Sequence, residues 1–338
     1  MTVIWSWDLQ AYISGAWTSI SRDVEILKSP LTASRGILGS SVLDRIASPG
    51  SLTCSLDNGE SNSGTKLGYY SPDHANMRAN FGRDTALRLK ITYSGTDYYK
   101  WKGYITDLQP GIGKYRERSS ILTATDYMQK LSEHKLKQIA SQENKRSDQL
   151  VDAVLDNIYD QPVNISLETG KFTMPYGLTT ESDERTTALG VLQKICQSAL
   201  GYVFIKGNTT DGETLVYESE ETRSIRSSAA TLNDTMSEMR INRRLDDVKN
   251  KIIGVIHPVR TDADSTTLLY DLEREFSIPP LTTITINLPF KDPQNLSERV
   301  SAKNVVTPLV AGTHYRMSSK SDTGSGDLNG SLTVTPTV

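Results

Sequence analysis

The chain has 338 residues, 37% of them hydrophobic and 23% charged, enough for a sizeable core and for two or three domains. Lys and Arg number 37 against 40 Asp and Glu, a formal net charge of -3, so no field of either sign marks out nucleic acid or an anionic membrane as a default partner. No run reaches the apolar length of a membrane span, the first ten residues lack the basic-then-apolar order of a signal peptide, and the two cysteines, Cys54 and Cys196, read as buried thiols that demand no oxidising compartment.

Residues 1–125 read as strands. Trp5 and Trp7 alternate with polar neighbours, and residues 11–13 and 17–20 flank a Ser14-Gly15 turn as a hairpin. Val24, Ile26 and Leu27 suggest a short strand, and residues 31–48, rich in Ser and Gly, read as loop. In residues 51–56, Leu52, Cys54 and Leu56 face one way and Ser51, Thr53 and Ser55 the other, the period of a half-buried strand. Asp57, Asn58 and Gly59 stop that strand with turn chemistry. A polar stretch follows, which Leu67, Tyr69 and Tyr70 close before Pro72. A strand that runs into a long, structured loop suggests that the loop touches something. Residues 86–93 alternate, Ser94-Gly95 turns the chain, and residues 98–107 come back, the clearest hairpin of the sequence. Residues 119–125 supply a further strand. Short strands with frequent turns predict a sandwich or barrel.

The period changes after Thr125. Asp126 is a candidate N-cap for a helix over 127–136. Ser147 opens a second helix with Leu150, Val151, Val154, Leu155 and Ile158 on one face, ended by Pro162. Residues 163–182 read as extended or loop. Thr186 or Thr187 opens a third helix through Leu189, Leu192, Ile195, Cys196 and Ala199, and Gly201 ends it. Residues 202–205 and 214–218 are strands around a 207–212 turn. Strand character returns after residue 223, at 251–259, 282–288, 305–310 and 332–334. The expected division is 1–125 β, 126–222 α+β and 223–338 β, a mainly β chain with an α+β middle part.

Little catalytic chemistry is written in the sequence. His74, His134, His257 and His314 share no spacing that joins two of them, and HExxH and CxxC are absent, so no zinc site is expected. Asp57 to Glu60 lacks the acidic ladder of a calcium loop, and Asp262, Asp264 and Asp271 read as a solvated loop. No GxSxG elbow, phosphate loop or dinucleotide fingerprint occurs. The chain is expected to be no enzyme and to need no cofactor. Fifteen Tyr and four Trp outnumber five Phe, and Tyr69, Tyr70, Tyr98, Tyr99, Trp101 and Tyr104 gather in one part of the chain. Tyr and Trp suit half-buried strands, interfaces and sugar stacking alike, so both a core and an interface reading stand. Asp57, Asn58, Tyr69, Tyr70, Tyr98 and Trp101 are the interface candidates.

Several stretches, taken in order, resemble the tail hub proteins of tailed bacteriophages and prophages. They are Trp17 to Ile20, Ser34 to Gly39, Pro49 to Asn58 (PGSLTCSLDN) and Tyr70 to Pro72 (YSP). Trp101, Gly103 and Ile105 come next, then Thr123, Ala124, Asp126 and Leu131, Ala188, Leu189 and Leu192 before Gly201, and Asn250 to Ile252. The resemblance covers roughly residues 15–260 and fades beyond. The familiar form often carries Asp-Gly before the YSP, where this chain has Asn58-Gly59 and a longer Ser/Asn/Gly insertion. The resemblance implies two related β-barrel domains around a smaller α/β part, and three copies closing into a pseudo-sixfold ring. That ring would join the sixfold tail tube to a threefold tip in the virion, with DNA passing through its lumen. It implies as neighbours the tail tube or distal tail protein, the tape measure protein and tail-tip or fibre proteins. Two other readings remain open: a hexameric distal tail protein, and a tail-tip carbohydrate- or receptor-binding module.

Overall fold

The structure, a computed structural model, describes residues 5–39, 44–111, 118–137, 139–178, 180–182 and 186–227, together with residues 253, 270, 277–288, 290, 298–300, 308–317 and 333–335. The chain divides into two compact units. One comprises residues 1–134, 146–172 and 187–252; the other comprises 135–145, 173–186 and 253–338.

The first unit is built on a seven-stranded antiparallel sheet. Its strands are β1 (Trp5–Ile13), β2 (Ala16–Ser19), β3 (Thr32–Gly36), β4 (Ser48–Asp57), β5 (Ala86–Tyr93), β6 (Thr96–Pro110) and β7 (Ser119–Thr125), in the order β2-β1-β5-β6-β7-β4-β3. Both expected hairpins are present. Ser14 and Gly15 (φ 52° and 85°) and Ser94 and Gly95 (φ 48° and 81°) put two consecutive left-handed residues in each turn, which matches the twist of the strands they join. Among the described residues no pairing joins β2 to β3, so the sheet is open rather than a closed barrel.

Two sequence expectations need correction here. Val24 to Leu27 is not a strand: Val24 makes a single bridge to Leu56 after a short 3-10 turn (Ser21–Asp23), and Leu27 is fully exposed. The loop expected over 31–48 contains β3, an edge strand whose sequence, Thr-Ala-Ser-Arg-Gly, shows no apolar alternation because its residues are half-buried or exposed.

The core lies on one face of the sheet. Leu9, Leu52, Cys54, Leu87, Trp101 and Leu122 point into it from the strands, and Ile20, Tyr70 and Phe81 close it from the connections. Gly103 sits where the Trp101 ring and the Thr125 carbonyl leave no room for a Cβ. The opposite face carries Arg88, stacked between the rings of Trp17 and Tyr99 at 4.2 and 4.3 Å, with its Nε donating to Gln10 Oε1 at 2.7 Å.

Beyond β7 the unit becomes α+β. Asp126 caps α1 (Tyr127–Glu133) by accepting from the Met128 N–H, as expected. In α2 (Ser147–Asp156), Leu150, Val151, Val154 and Leu155 are buried. Thr187 caps α3 (Ala188–Ala199), which ends on Leu200 in the left-handed region (φ 55°), one residue ahead of the expected glycine. A three-stranded sheet, β12 (Tyr202–Lys206), β13 (Thr214–Glu218) and β9 (Ile165–Leu167), lies in that order, with β13 and β9 parallel. A short helix, α4 (Glu220–Ile225), follows.

The β12–β13 loop seats this layer on the large sheet. Strand alternation puts Trp101 on the core face and Lys102 on the other, yet Lys102 is only 6% exposed. Its ammonium lies 3.0 Å from Asp211 and 3.3 Å from the fully buried Glu213. Burial pushes the Lys102 pKa down, but the two carboxylates outweigh it and the net shift is upward. Burial dominates at Glu213 and raises its carboxyl pKa. Asn208 holds the loop: its side-chain carbonyl accepts from the N–H groups of Thr210, Asp211 and Gly212, and its backbone bridges Tyr99. Arg35 of β3 donates to the Gly212 carbonyl from the edge of the sheet.

In the second unit β8 (Gln142–Arg146, its last residue assigned to the first unit) pairs with β10 (Thr173–Gly177), and β11 (Thr180–Ser182) pairs antiparallel with β14 (Glu298–Val300). Residues 282–288, expected as a strand, have no regular structure and are largely exposed. The strand expected over 251–259 lies almost wholly outside the described residues, as does most of the second barrel expected over 223–338.

Two stability predictions follow from these contacts. Replacing Lys102 with Met leaves two carboxylates facing a buried site without their cation, and is expected to destabilise the first unit by about 3 kcal/mol or more in urea unfolding. Burial also pushes the thiols of Cys54 and Cys196 from 9.0 up to about 12, and Tyr104 from 10.0 up to about 12. These groups ionise in the unfolded chain before they can in the fold. Their contribution is therefore full below pH 9.0 and is lost as the pH rises toward about 12. Thermal melts across that window should fall steeply, and Cys54→Val should flatten the fall.

Candidate functional site

The connection from β4 to β5, residues 58–85, is long but not loose. Its first half is folded around three buried polar side chains. Asn58, 3% exposed, accepts from the Tyr70 N–H at 2.7 Å and donates from Nδ2 to Ser71 Oγ at 2.7 Å. Its backbone N–H donates to the Arg118 carbonyl and its carbonyl accepts from Gly68 N–H, both at 3.0 Å. Asn62, 1% exposed, donates from Nδ2 to the carbonyls of Gly59 and Lys66 and accepts on Oδ1 from the Gly64 N–H at 3.0 Å. Asx geometry of this kind gives a loop the hydrogen bonds that a ladder would otherwise supply.

The third buried group is Asp23, 40 residues upstream. One carboxylate oxygen accepts from Ser63 N–H at 2.7 Å; the other accepts from Ser63 Oγ and from the Tyr70 hydroxyl, each at 2.5 Å. Arg78 Nη1 donates to the Tyr70 hydroxyl oxygen at 3.0 Å and places positive charge beside the pair. Burial, followed by the Asp23 contact, raises the Tyr70 pKa. The ring of Tyr70 meets those of Tyr69 and Phe81 edge-on, at 5.2 and 5.1 Å. Asn80 Nδ2 donates to Ser14 Oγ in the β1–β2 turn, so the second half of the connection is tied to the sheet as well.

The six interface candidates therefore divide. Asn58, Tyr70 and Trp101 are buried, and their side chains hold the sheet and its loop together rather than offering a surface. Asp57 is half-buried and accepts from Gly59 N–H and Ser61 Oγ; Tyr69 is half-buried, with the Arg78 guanidinium 5.6 Å from its ring; Tyr98 is half-buried, with the Lys100 ammonium 5.1 Å from its ring. The loop brings Asp57, Asn58, Tyr69 and Tyr70 together, while Tyr98 and Trp101 belong to β6. The outward side of the loop includes Glu60, Ser61, Thr65, Lys66, Pro72, Asp73 and His74, a mixed-charge surface. Beside it runs an open groove lined by Met77, Arg78, Asn80, Phe81, Arg83 and Thr85. Asp23 escapes sequence reading because its partners, Ser63 and Tyr70, are brought to it only by the fold; Asn62 bonds locally, but nothing in the sequence singles it out among the polar residues around it.

Among the described residues no group of three or more His, Cys, Asp or Glu could hold a metal ion, and no helix is long and apolar enough to cross a membrane.

No family model matches the chain, and no curated protein does. Solved structures do. The chain is similar to a 43 kDa tail protein of prophage MuSo2 from Shewanella oneidensis, at 13% identity and a TM-score of 0.38, over 63% of this chain and 54% of that one. It is similar to a tail protein from Neisseria meningitidis, at 12% identity and a TM-score of 0.39, over 63% of this chain and 50% of that one. A Francisella PdpA-VgrG complex matches at 11% identity and a TM-score of 0.35, over 67% of this chain and 30% of that one. The match thus spans about half the length of the two tail proteins and under a third of the third chain.

The bonds of Tyr70 make the loop testable. Tyr70→Phe removes one hydrogen bond to a buried carboxylate, worth about 1.5–3 kcal/mol. Hydrogen exchange across residues 58–71 should accelerate by roughly tenfold or more, while exchange in β5 and β6 stays close to wild type.

Proposed function

We propose that this chain is a structural, non-catalytic virion protein of a tailed bacteriophage or prophage. In this reading it is the tail hub, a homotrimer that joins the sixfold tail tube to the threefold tip and lines the DNA channel. Residues 1–125 form its tube-like domain, 126–222 the middle part and 223–338 the second barrel-like domain. Its neighbours are the tail tube or distal tail protein, the tape measure protein and tail-tip or fibre proteins, with DNA only in transit.

The observation that carries the reading is where the hub-like motifs meet. They are dispersed in sequence and bonded in space. Gly50 of the PGSL stretch donates to Asp126 of the TAxD stretch at 2.8 Å. Asn58, which ends LDN, holds Tyr70 and Ser71 of YSP. Gly103 of the Trp-x-Gly-x-Ile stretch is pressed against Thr125, and the Trp101 ring fills the core beside it. The residues of the resemblance thus form the joints of one sheet and one loop. In the hub reading, Asp57, Tyr69 and Tyr98 lie at subunit contacts, and the backbone edges of β2 and β3 are available to neighbouring copies.

Light scattering behind size exclusion, at several concentrations, tests the assembly. A species near three times 37.4 kDa is expected. A sixfold species points instead to the distal tail role. A strict monomer that binds neither tail tube nor distal tail rings overturns the hub and directs attention to glycan binding.

A further inference from the structure

Besides its place among the hub-like motifs, the Asn58–Gly59 pair has a chemistry of its own. In a mobile chain the Gly59 nitrogen, unhindered by any Cβ, can attack the Asn58 side-chain carbonyl carbon. A new C–N bond closes a succinimide, the Cγ–Nδ2 bond breaks, and ammonia leaves. Water then opens the ring at either carbonyl, giving aspartate or isoaspartate. The balance needs only water, and the product carries one more negative charge.

The closed loop prevents each step. Asn58 is 3% exposed, and Gly59 is buried too, with its N–H already donating to Asp57 Oδ1 at 2.8 Å. Both ends of the Asn58 amide are held, Oδ1 by the Tyr70 N–H and Nδ2 by Ser71 Oγ. Rotating the carbonyl carbon over the Gly59 nitrogen breaks both bonds, so reaction requires the loop to open. Conversion is also one-way in its structural effect. Aspartate has no N–H to give to Ser71. Isoaspartate adds a methylene to the backbone between the Arg118 and Gly68 hydrogen bonds, which then lose their register.

We propose that Asn58–Gly59 is a spontaneous modification site, masked by the closed loop and unmasked by its opening, whose conversion permanently marks a subunit that has opened. The chemistry is intrinsic to the chain and needs no partner, so it stands or falls separately from the hub reading.

The full chain is incubated at mildly alkaline pH in native buffer and in urea, and aspartate and isoaspartate at position 58 are quantified by peptide mass spectrometry. Asn329–Gly330, the other Asn-Gly pair of the sequence, reports in urea that the chemistry proceeds. Native Asn58 is expected to convert at least roughly tenfold more slowly than in urea, since opening must first break several hydrogen bonds. Ser71→Ala and Tyr70→Phe, each checked for wild-type circular dichroism, should speed native conversion several-fold, and adding Gly59→Ala should suppress it. Equal rates in buffer and urea, or folded variants that convert no faster than wild type, overturn the proposal.

Discussion

A lysine on the outward face of a sheet stays dry only if carboxylates are brought to it, and much of the first unit follows from that requirement at Lys102. Its neighbour Trp101 fixes the face: the ring belongs in the core, so the next side chain must point away. An isolated ammonium there would be costly to bury, and the β12–β13 loop supplies Asp211 and Glu213. The loop can come so close because it is thin. A Cβ on Gly207 would collide with the Tyr99 carbonyl of β6, and one on Gly212 would crowd the Trp101 carbonyl, at a residue that also takes a positive φ. Asn208 then organises the loop from within, and Asn164 reaches the same Asp211 carboxylate from ahead of β9. A single buried cation thereby sets the seat of the smaller sheet on the larger one. Arg35 extends the contact to the edge strand β3.

The loop after β4 is built on the same physics with the sign reversed. Here the buried charge is Asp23, and three donors converge on it from Ser63 and Tyr70. Both devices spend polar side chains on fixing irregular backbone, which a sheet ladder cannot do for a loop of this length. The consequence for binding is entropic. A loop already held by its own hydrogen bonds gives up little freedom when a partner docks, so even a polar, mixed-charge surface can make a specific contact.

Much of the scaffold is legible in the sequence because local chemistry sets it. The Ser14-Gly15 and Ser94-Gly95 turns read correctly since two successive positive φ values are what Gly and small polar residues tolerate best. The caps Asp126 and Thr187 read for the same local reason. The edge strand β3 does not, because an edge with little buried area carries no apolar alternation. The site is half legible. Asp57 to Gly59 announces a turn, but the partner of Tyr70 lies 47 residues away, and nothing local marks Asp23 as its acceptor. Lys102 is unreadable in the same way, since an outward lysine on a strand is ordinarily solvated. Burial separates the interface candidates into enclosed and half-open side chains, a property of the fold that residue type does not fix.

The sheet edges impose a final constraint on any assembly this chain enters. An exposed, flat, apolar edge would pair indiscriminately. Here β2 is only four residues long, and β3 presents Thr, Ser and Arg, with Ser34 Oγ 3.0 Å from Ser51 Oγ and Arg35 drawn away to Gly212. Such edges keep the backbone groups that a neighbour could bind but remove the hydrophobic drive to bind whatever comes. Association through them must gain its energy from a register that a neighbouring subunit matches along its whole length.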